Sequence, residues 1–459
     1  MTVPLRFGFC NSLIHMTRLA TLVIIICTVA LSSRTATAQN WSFDARNIGL
    51  GGVGSTGNLA SSMIDKQRRY TPIVLPFGLF QVLSDLDIYD PNSPKFDPIR
   101  AIEYAASPIH YVVGRDTNTS AEALFVSDIR NATFSRDLSK YRGFVPANDI
   151  LAEGLTSPNW GGTIKVHRDG NGGYQGVFIG AGPYLSLRDA ATFDQQLTTV
   201  LSTGVNAVNA VMPIVNNDQG QAALAITGGY RGRFGWPGAS AGSARDGIYI
   251  AANYNYLRGF VYENDSLTVN LVTDRTGLLV PTSTIAIIHQ HADTGTGFAV
   301  DLGAGVVYDR WEVGFGANGI SNRIDWTGVK QSSLRLASLS SGNGTFIQSV
   351  EVPVADARVE LPVDYRGNVT YNAGDWSATA EAGHGFGGGS FHGGYEHRFG
   401  RLEARGGARY TFSMWNPTGG IGVDMSRKVS FDLAFFGTTT NIERKRQLAI
   451  AASIRINHS

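Results

Sequence analysis

His289-x-His291 is the pair of side chains in this 459-residue chain whose type and spacing come nearest to a metal site. On an extended backbone a spacing of two puts both imidazoles on one face. Asp293 is the nearest further donor, but zinc centres take three or four protein ligands. Polar histidines at a strand edge are therefore the expectation, with no metal and no cofactor. His384, His392 and His397 fall on neighbouring strand-like runs, where only the register decides whether they meet. A Ser, His and acid constellation is defined by geometry and not by chain order, and no such set declares itself, so no catalytic residue is expected and the chain does not read as an enzyme. Gly49-x-Gly51-x-x-Gly54 matches the dinucleotide fingerprint letter for letter. That motif needs a strand before it and a helix after it in a βαβ unit. Here a polar segment follows, so Gly49, Gly51, Gly52 and Gly54 are expected to form an N-terminal glycine turn.

The elements that carry these residues are strands. Within 296–326, Phe298, Val300, Leu302, Ala304, Val306 and Tyr308 form one row, and Ala299, Asp301, Gly303, Gly305 and Val307 form the other. Trp311, Val313, Phe315 and Ala317 then alternate with Glu312, Gly314, Gly316 and Asn318. Successive strand side chains point to opposite faces, so two such runs joined by Asp309-Arg310 predict an antiparallel hairpin. One face is apolar and edged by Tyr308 and Trp311. The other is small, polar and acidic. Strands of about 9–11 residues with aromatic ends fit a transmembrane barrel wall, whereas soluble sheets favour strands of about 5–6.

Composition narrows the class further. Either Met1 or Met16 begins an export signal; from Met16, Arg18, the apolar run Leu19–Leu31 and Ala36-Thr37-Ala38 supply its charge, core and cleavage site, so residues 1–38 are expected to be removed. Both cysteines, Cys10 and Cys27, lie inside that segment. Residues 39–459 carry 35 basic and 37 acidic side chains, with no basic excess to bind nucleic acid. They contain no apolar run of 18 or more residues, so membrane helices are not expected. The 54 glycines among them suit a sheet with tight bends, because they come with many aromatic and β-branched residues and no three-residue period.

In chain order, residues 39–160 read as an N-terminal segment that supplies the first strands and otherwise forms a lumen plug, an extended arm or a long surface loop. Pro and Asp density there suggests irregular structure with one short helix or strand, and 73–82 reads as a strand. Residues 161–459 form the main body. Phe193, Leu197, Val200, Leu201, Val208 and Val211 recur at helical spacing and predict a helical insertion over 189–215. About 14 strands, within 12–16, are expected in an even-numbered barrel. In 401–412, Leu402, Ala404, Ala408, Tyr410 and Phe412 oppose Arg401, Glu403, Arg405, Arg409 and Thr411; in 429–436 the apolar row opposes Ser430 and Asp432; in 448–456 it opposes Ser453 and Arg455. An Arg facing lipid at mid-bilayer costs about 2–4 kcal/mol. Asp301, Glu403, Arg405, Arg409 and Arg455 are therefore the candidate lumen residues, forming either a solute path or a cross-linked interior.

The stretch Gly297–Trp326, G-F-A-V-D-L-G-A-x-x-x-Y-x-x-W-x-V-G-x-x-x-N-G-I-x-x-x-I-D-W, resembles the late hairpin of FadL-like outer-membrane proteins, especially the branch with TraF-like conjugal transfer and PorV-like proteins. Ala45-Arg46-Asn47-Ile48-Gly49-Leu50-Gly51-Gly52-Val53-Gly54 resembles the start of their mature chains. The resemblance implies an all-β, closed antiparallel transmembrane barrel in the outer membrane of a Gram-negative-type bacterium, with its N-terminal segment in the lumen. For FadL proper it implies uptake of hydrophobic molecules through a side opening; for the TraF-like and PorV-like branch it implies a scaffold for a secretion or conjugation apparatus. The expected partners are outer-membrane lipid, a hydrophobic small molecule and, on the second reading, an envelope protein, with no nucleic acid.

Overall fold

The computed structural model describes residues 37–38, 44–52, 59–65, 70–89, 93, 95, 97–107, 109–115, 118–131, 135–157, 161–168, 172–236, 245–280, 283–336, 346–385, 388–411 and 413–457. The expected export signal, apart from Thr37 and Ala38, lies outside them, as does Gly54. Among the described residues one antiparallel sheet of 22 strands dominates. Its main members, in chain order, are β1 (Tyr70–Leu75), β2 (Tyr111–Val112), β3 (Asp149–Ser157), β4 (Gly161–Arg168), β5 (Tyr174–Phe193), β6 (Val211–Phe234), β7 (Gly247–Val272), β8 (Thr284–Ala292), β9 (Thr294–Tyr308), β10 (Trp311–Thr327), β11 (Lys330–Leu336), β12 (Asp364–Asn372), β13 (Trp376–Gly385), β14 (Gly388–Phe399), β15 (Leu402–Thr411), β16 (Met414–Asp424), β17 (Val429–Thr438) and β18 (Gln447–Asn457). From β12 to β18 each strand pairs with the next, and β10 joins β12 to β9, which leads through β7 and β6 to β5 and β3. At the other extreme, β1 and β2 both pair with β18. Among the described residues no ladder joins β1 or β2 to β3 or β4.

The central hairpin forms as its alternation predicts: Tyr308 faces Trp311 across Asp309-Arg310, with Asp309 in the left-handed region at φ 51°. Leu302, Val306, Tyr308, Trp311, Val313 and Phe315 are exposed, while Ala299, Asp301, Val307 and Glu312 are buried. The same division runs along β15, where Leu402 is exposed and Glu403 and Arg405 are buried. This inverts the soluble pattern: the apolar row faces outward and the charged row faces protein. Beside the short turns at 309–310 and 373–375, rings follow one another across strands, with centroids 4.8 Å apart for Trp311 and Tyr371, 5.4 Å for Tyr371 and Trp376 and 5.7 Å for Trp376 and Tyr395. Among the described residues no helix is long and apolar enough to cross a membrane, a statement that leaves strands untouched.

Two expectations need correction. The helix expected over 189–215 is confined to α6 (Gln195–Thr203), because the Asp194 side chain caps its start and Gly204, at φ 75°, ends it. Residues 189–193 and 211–215 are strand, since β-branched Val211, Ile214 and Val215 lie opposite Val272, Val269 and Thr268 on β7. Leu197, Val200 and Leu201 are buried as the spacing requires, but Val208 and Val211 are exposed. The N-terminal part holds more helix than its composition suggested. It contains α1 (Ala45–Gly49), α2 (Leu59–Asp65), α3 (Phe77–Ser84), α4 (Pro98–Ala106) and α5 (Ser120–Asn131), and the strand expected over 73–82 gives way to α3 after Pro76. Asp97 caps α4, with Pro98 at its first turn. Beyond the end of the apolar belt opposite the 309–310 turn, α5 and α6 bury Phe125, Tyr141, Phe144, Leu197 and Leu201 against Met212 and Leu271.

Candidate functional site

Three of the five candidate lumen residues meet. On β15 and β18, Arg405 and Arg455 stand on the buried row and share two carboxylates. Arg405 Nη1 donates to Asp432 Oδ1 at 2.7 Å, and its Nη2 donates to Glu403 Oε2. Arg455 Nε donates to Asp432 Oδ2 at 2.6 Å and its Nη2 to Glu403 Oε2 at 2.6 Å. Arg405 also reaches Glu396 on β14 at 2.7 Å. Gly422 makes room for this arrangement, since a Cβ there would lie 2.6 Å from Arg405 Nη2 and 2.7 Å from Asp432 Oδ1.

The N-terminal segment completes the lattice. Arg46 of α1 holds both oxygens of Glu396, at 3.0 and 2.7 Å. Three guanidiniums thus face three carboxylates. Asp44 accepts from Ser453 Oγ at 2.8 Å, and that hydroxyl receives the Ala45 N–H at 3.2 Å. Charges removed from water need this level of pairing, because each uncompensated ion costs several kcal/mol.

The glycines after α1 allow backbone-to-backbone contact with the sheet. Gly51, at φ +79°, donates its N–H to Thr418 Oγ1 at 2.9 Å, and its carbonyl lies 2.6 Å from His392 Nδ1. A Cβ on Gly51 would sit 2.5 Å from the Gly393 carbonyl oxygen and 2.6 Å from that of Ala408. From the sheet side, a Cβ on Gly394 would sit 2.3 Å from Leu50 O. Gly51 and Gly52 turn the chain directly after α1, and Gly49, expected in the same turn, is instead the last residue of that helix. Further along, α2 lays Leu59, Ala60, Met63 and Ile64 on Tyr249, Ala251 and Val307.

Arg409 and Asp301 stand apart from the lattice. Arg409 lies over the Phe436 ring at 4.9 Å and reaches Gly437 O at 3.5 Å. Asp301, buried, accepts from Asn255 Nδ2 at 2.7 Å and from Gly319 N at 2.9 Å. Sequence reading put Asp432 on the charged face but did not pair it, and it missed Arg46 and Glu396 altogether. The period of two on β14 would have placed Glu396 on a face, but nothing in the sequence ties position 46 to position 396.

The other residues singled out lie apart from this lattice. The His289 and His291 rings stack at 5.2 Å, and His289 Nδ1 lies 2.5 Å from Asp265. Among the described residues no group of three or more His, Cys, Asp or Glu is placed to hold a metal ion. His384 and His397 do not join His392, whose cross-strand partners are Glu381 and Arg409. The letters G-x-S-x-G do occur, at Gly238-Ala239-Ser240-Ala241-Gly242. They fall outside the described residues, in the stretch of chain between β6 and β7.

A second feature lies at the sheet's edge. β1 runs beside β18 from Asn457 to Ala452, the chain then leaves as α3 and α4, and β2 returns to the same neighbour at Ile450 and Ala449. Gln81 of α3 bridges the break, exchanging two 3.2 Å hydrogen bonds with the Val112 backbone. Phe77, Phe80 and Leu83 of α3 are exposed beside it.

Neither a family model nor a curated protein sequence matches this chain. Among solved structures, the Ralstonia pickettii toluene transporter TbuX is similar over 72% of this chain and 94% of its own, at 11% identity and a TM-score of 0.32. The P. putida toluene transporter TodX is similar over 67% and 82%, at 12% identity and a TM-score of 0.31. A Rhodopseudomonas blastica porin mutant follows over 62% and 100%, at 7% identity and a TM-score of 0.22. Likenesses of that strength assign neither fold nor function.

Proposed function

We propose that this chain is a closed outer-membrane β-barrel of the FadL-like kind, which passes small hydrophobic solutes by way of an opening in its wall while its N-terminal segment blocks the axial path. The exposed apolar rows and the aromatic run beside the short turns support insertion in a bilayer. With each interrupted strand counted together with its continuation, the sheet makes about 14 passes, a medium-bore barrel.

The observation that carries the reading is the broken strand β1/β2. β18 stays paired along this excursion, by β1 from Asn457 to Ala452 and by β2 at Ile450 and Ala449, but among the described residues the opposite edge of β1 and β2 has no ladder, and an intact barrel wall does not tolerate this in lipid. Set beside exposed Phe77, Phe80 and Leu83, the break offers an apolar route between bilayer and interior. Water and ions on the axial path meet Arg46, Glu396 and the docked glycine turn instead.

Proteoliposomes test this with radiolabelled toluene and a long-chain fatty acid as probes. Uptake should be several-fold faster than in protein-free vesicles, without steady ion conductance. Uptake no faster than the lipid control for either probe would overturn the proposal.

A further inference from the structure

Beyond the apolar belt, on the same side as α6, strands β5 to β8 place one cross-strand row in register: Asp189, Asp218, Asp265 and His289. The carboxylates at the β8 end have partners. Asp265 meets His289 at 2.5 Å, Glu263 lies 3.4 Å from His289 Nε2, and Glu351 is 3.0 Å from Lys330 Nζ. Asp189 and Asp218, directly opposite one another, form no ion pair among the described residues. Asp189 lies close to the Asp218 and Asn216 side chains, but with both carboxyls ionised no donor among the described residues meets either Asp189 oxygen or Asp218 Oδ1 in hydrogen-bond geometry. Asp189 is only 1% exposed.

A neutral side chain points the same way. Asn216, 4% exposed, donates Nδ2 to Asp218 Oδ2 at 2.9 Å, which holds its amide against the pair, and its Oδ1 has no donor. Two carboxyls and an amide thus converge in a dry position with four oxygen atoms unsatisfied. A buried acceptor without a donor costs about 1–3 kcal/mol, and more when charged. Burial, followed for Asp218 by the neighbouring charge of Asp189, pushes both carboxyls up, Asp189 to about 6. Ionising both carboxyls at once would therefore take a compensating positive charge.

We propose that Asp189, Asp218 and Asn216 form a binding site for a hard divalent cation of the calcium type. Oxygen-only donors exclude the softer metals that favour nitrogen and sulfur. Magnesium keeps several waters in a near-octahedral shell, which a dry site on pleated strands does not supply, whereas calcium accepts irregular, bidentate carboxylate coordination. The competing arrangement is a single proton shared by the two carboxyls. The site would exist whether or not the barrel carries hydrophobic solutes.

Calorimetric titration of the full chain in detergent, stripped by chelator and then given calcium chloride or magnesium chloride, tests the site. One calcium should bind per chain, more tightly than magnesium, and should raise the thermal midpoint. Asp189→Asn and Asp218→Asn should each weaken calcium binding at least tenfold. Metal-free Asp189→Asn should be as stable as the metal-free parent, since it removes one of two facing charges, so its loss of binding is not loss of fold. Heat indistinguishable from dilution at millimolar calcium, or equal affinity in the parent and both variants, would overturn the site in favour of the shared proton.

Discussion

Arg405→Met should cost the folded chain about 3–5 kcal/mol, because it leaves a buried cluster of three carboxylates short of the guanidinium that all three share. The Arg405 side chain is 0% exposed and ties Glu396, Glu403 and Asp432 at once. Arg455 would still reach two of those carboxylates, leaving an excess of negative charge at the point where Arg46 enters. Loss of the heat-resistant, fast-migrating band at temperatures the parent survives is the expected readout. Replacing Asp432 by Asn in the same chain should recover part of the loss, since the two residues share a hydrogen bond and neighbours of this kind couple by about 0.5–3 kcal/mol. Equal melting of parent and Arg405→Met would mean that the lattice contributes nothing to stability.

Gly51→Val should undock the N-terminal segment while leaving the wall standing. A β-branched residue at φ +79° costs about 1–3 kcal/mol. Its Cβ would also press on the Gly393 and Ala408 carbonyls, which belong to the β14–β15 ladder and cannot withdraw, and overpacking adds about 1–3 kcal/mol more. Against this stand the Arg46–Glu396 pair and the Thr418 and His392 contacts, all of which require the same docked backbone. Planar-bilayer recordings should show discrete conductance steps for Gly51→Val where the parent is closed, with thermal stability of the barrel little changed. A silent variant with intact fold would show that something other than this segment closes the axial path.

The faces of the sheet were legible in the sequence because a strand buried on one side writes its environment at a period of two. Phe298 to Tyr308 and Leu402 to Phe412 state it plainly. Where the environment is mixed, the signal fails. Phe77–Ser84, FGLFQVLS, is apolar almost throughout and offers no alternation to separate helix from strand; Pro76 before it and the Gln81 bridge to Val112 decide the matter. Helical spacing from Phe193 to Val211 was real only between Asp194 and Gly204, and pairing with β5 and β7 claimed the flanks. Glu403, Arg405 and Arg455 were found by face. Their partners were not, because register and the docking of residues 44–52 join positions far apart in the chain, which local pattern does not encode. The same blindness hid Asp189 and Asp218, ordinary polar residues until the ladder sets them opposite one another.

The central claim is that the exposed apolar rows lie against lipid and the charged rows do not. Spin labels on single cysteines at Val313, Phe315 and Ile421, in reconstituted protein, measure this through collision with oxygen, which concentrates in lipid, and with a water-soluble nickel chelate. All three positions should favour oxygen strongly. Preference for the nickel chelate at these positions would place the rows in water and contradict a membrane-spanning barrel.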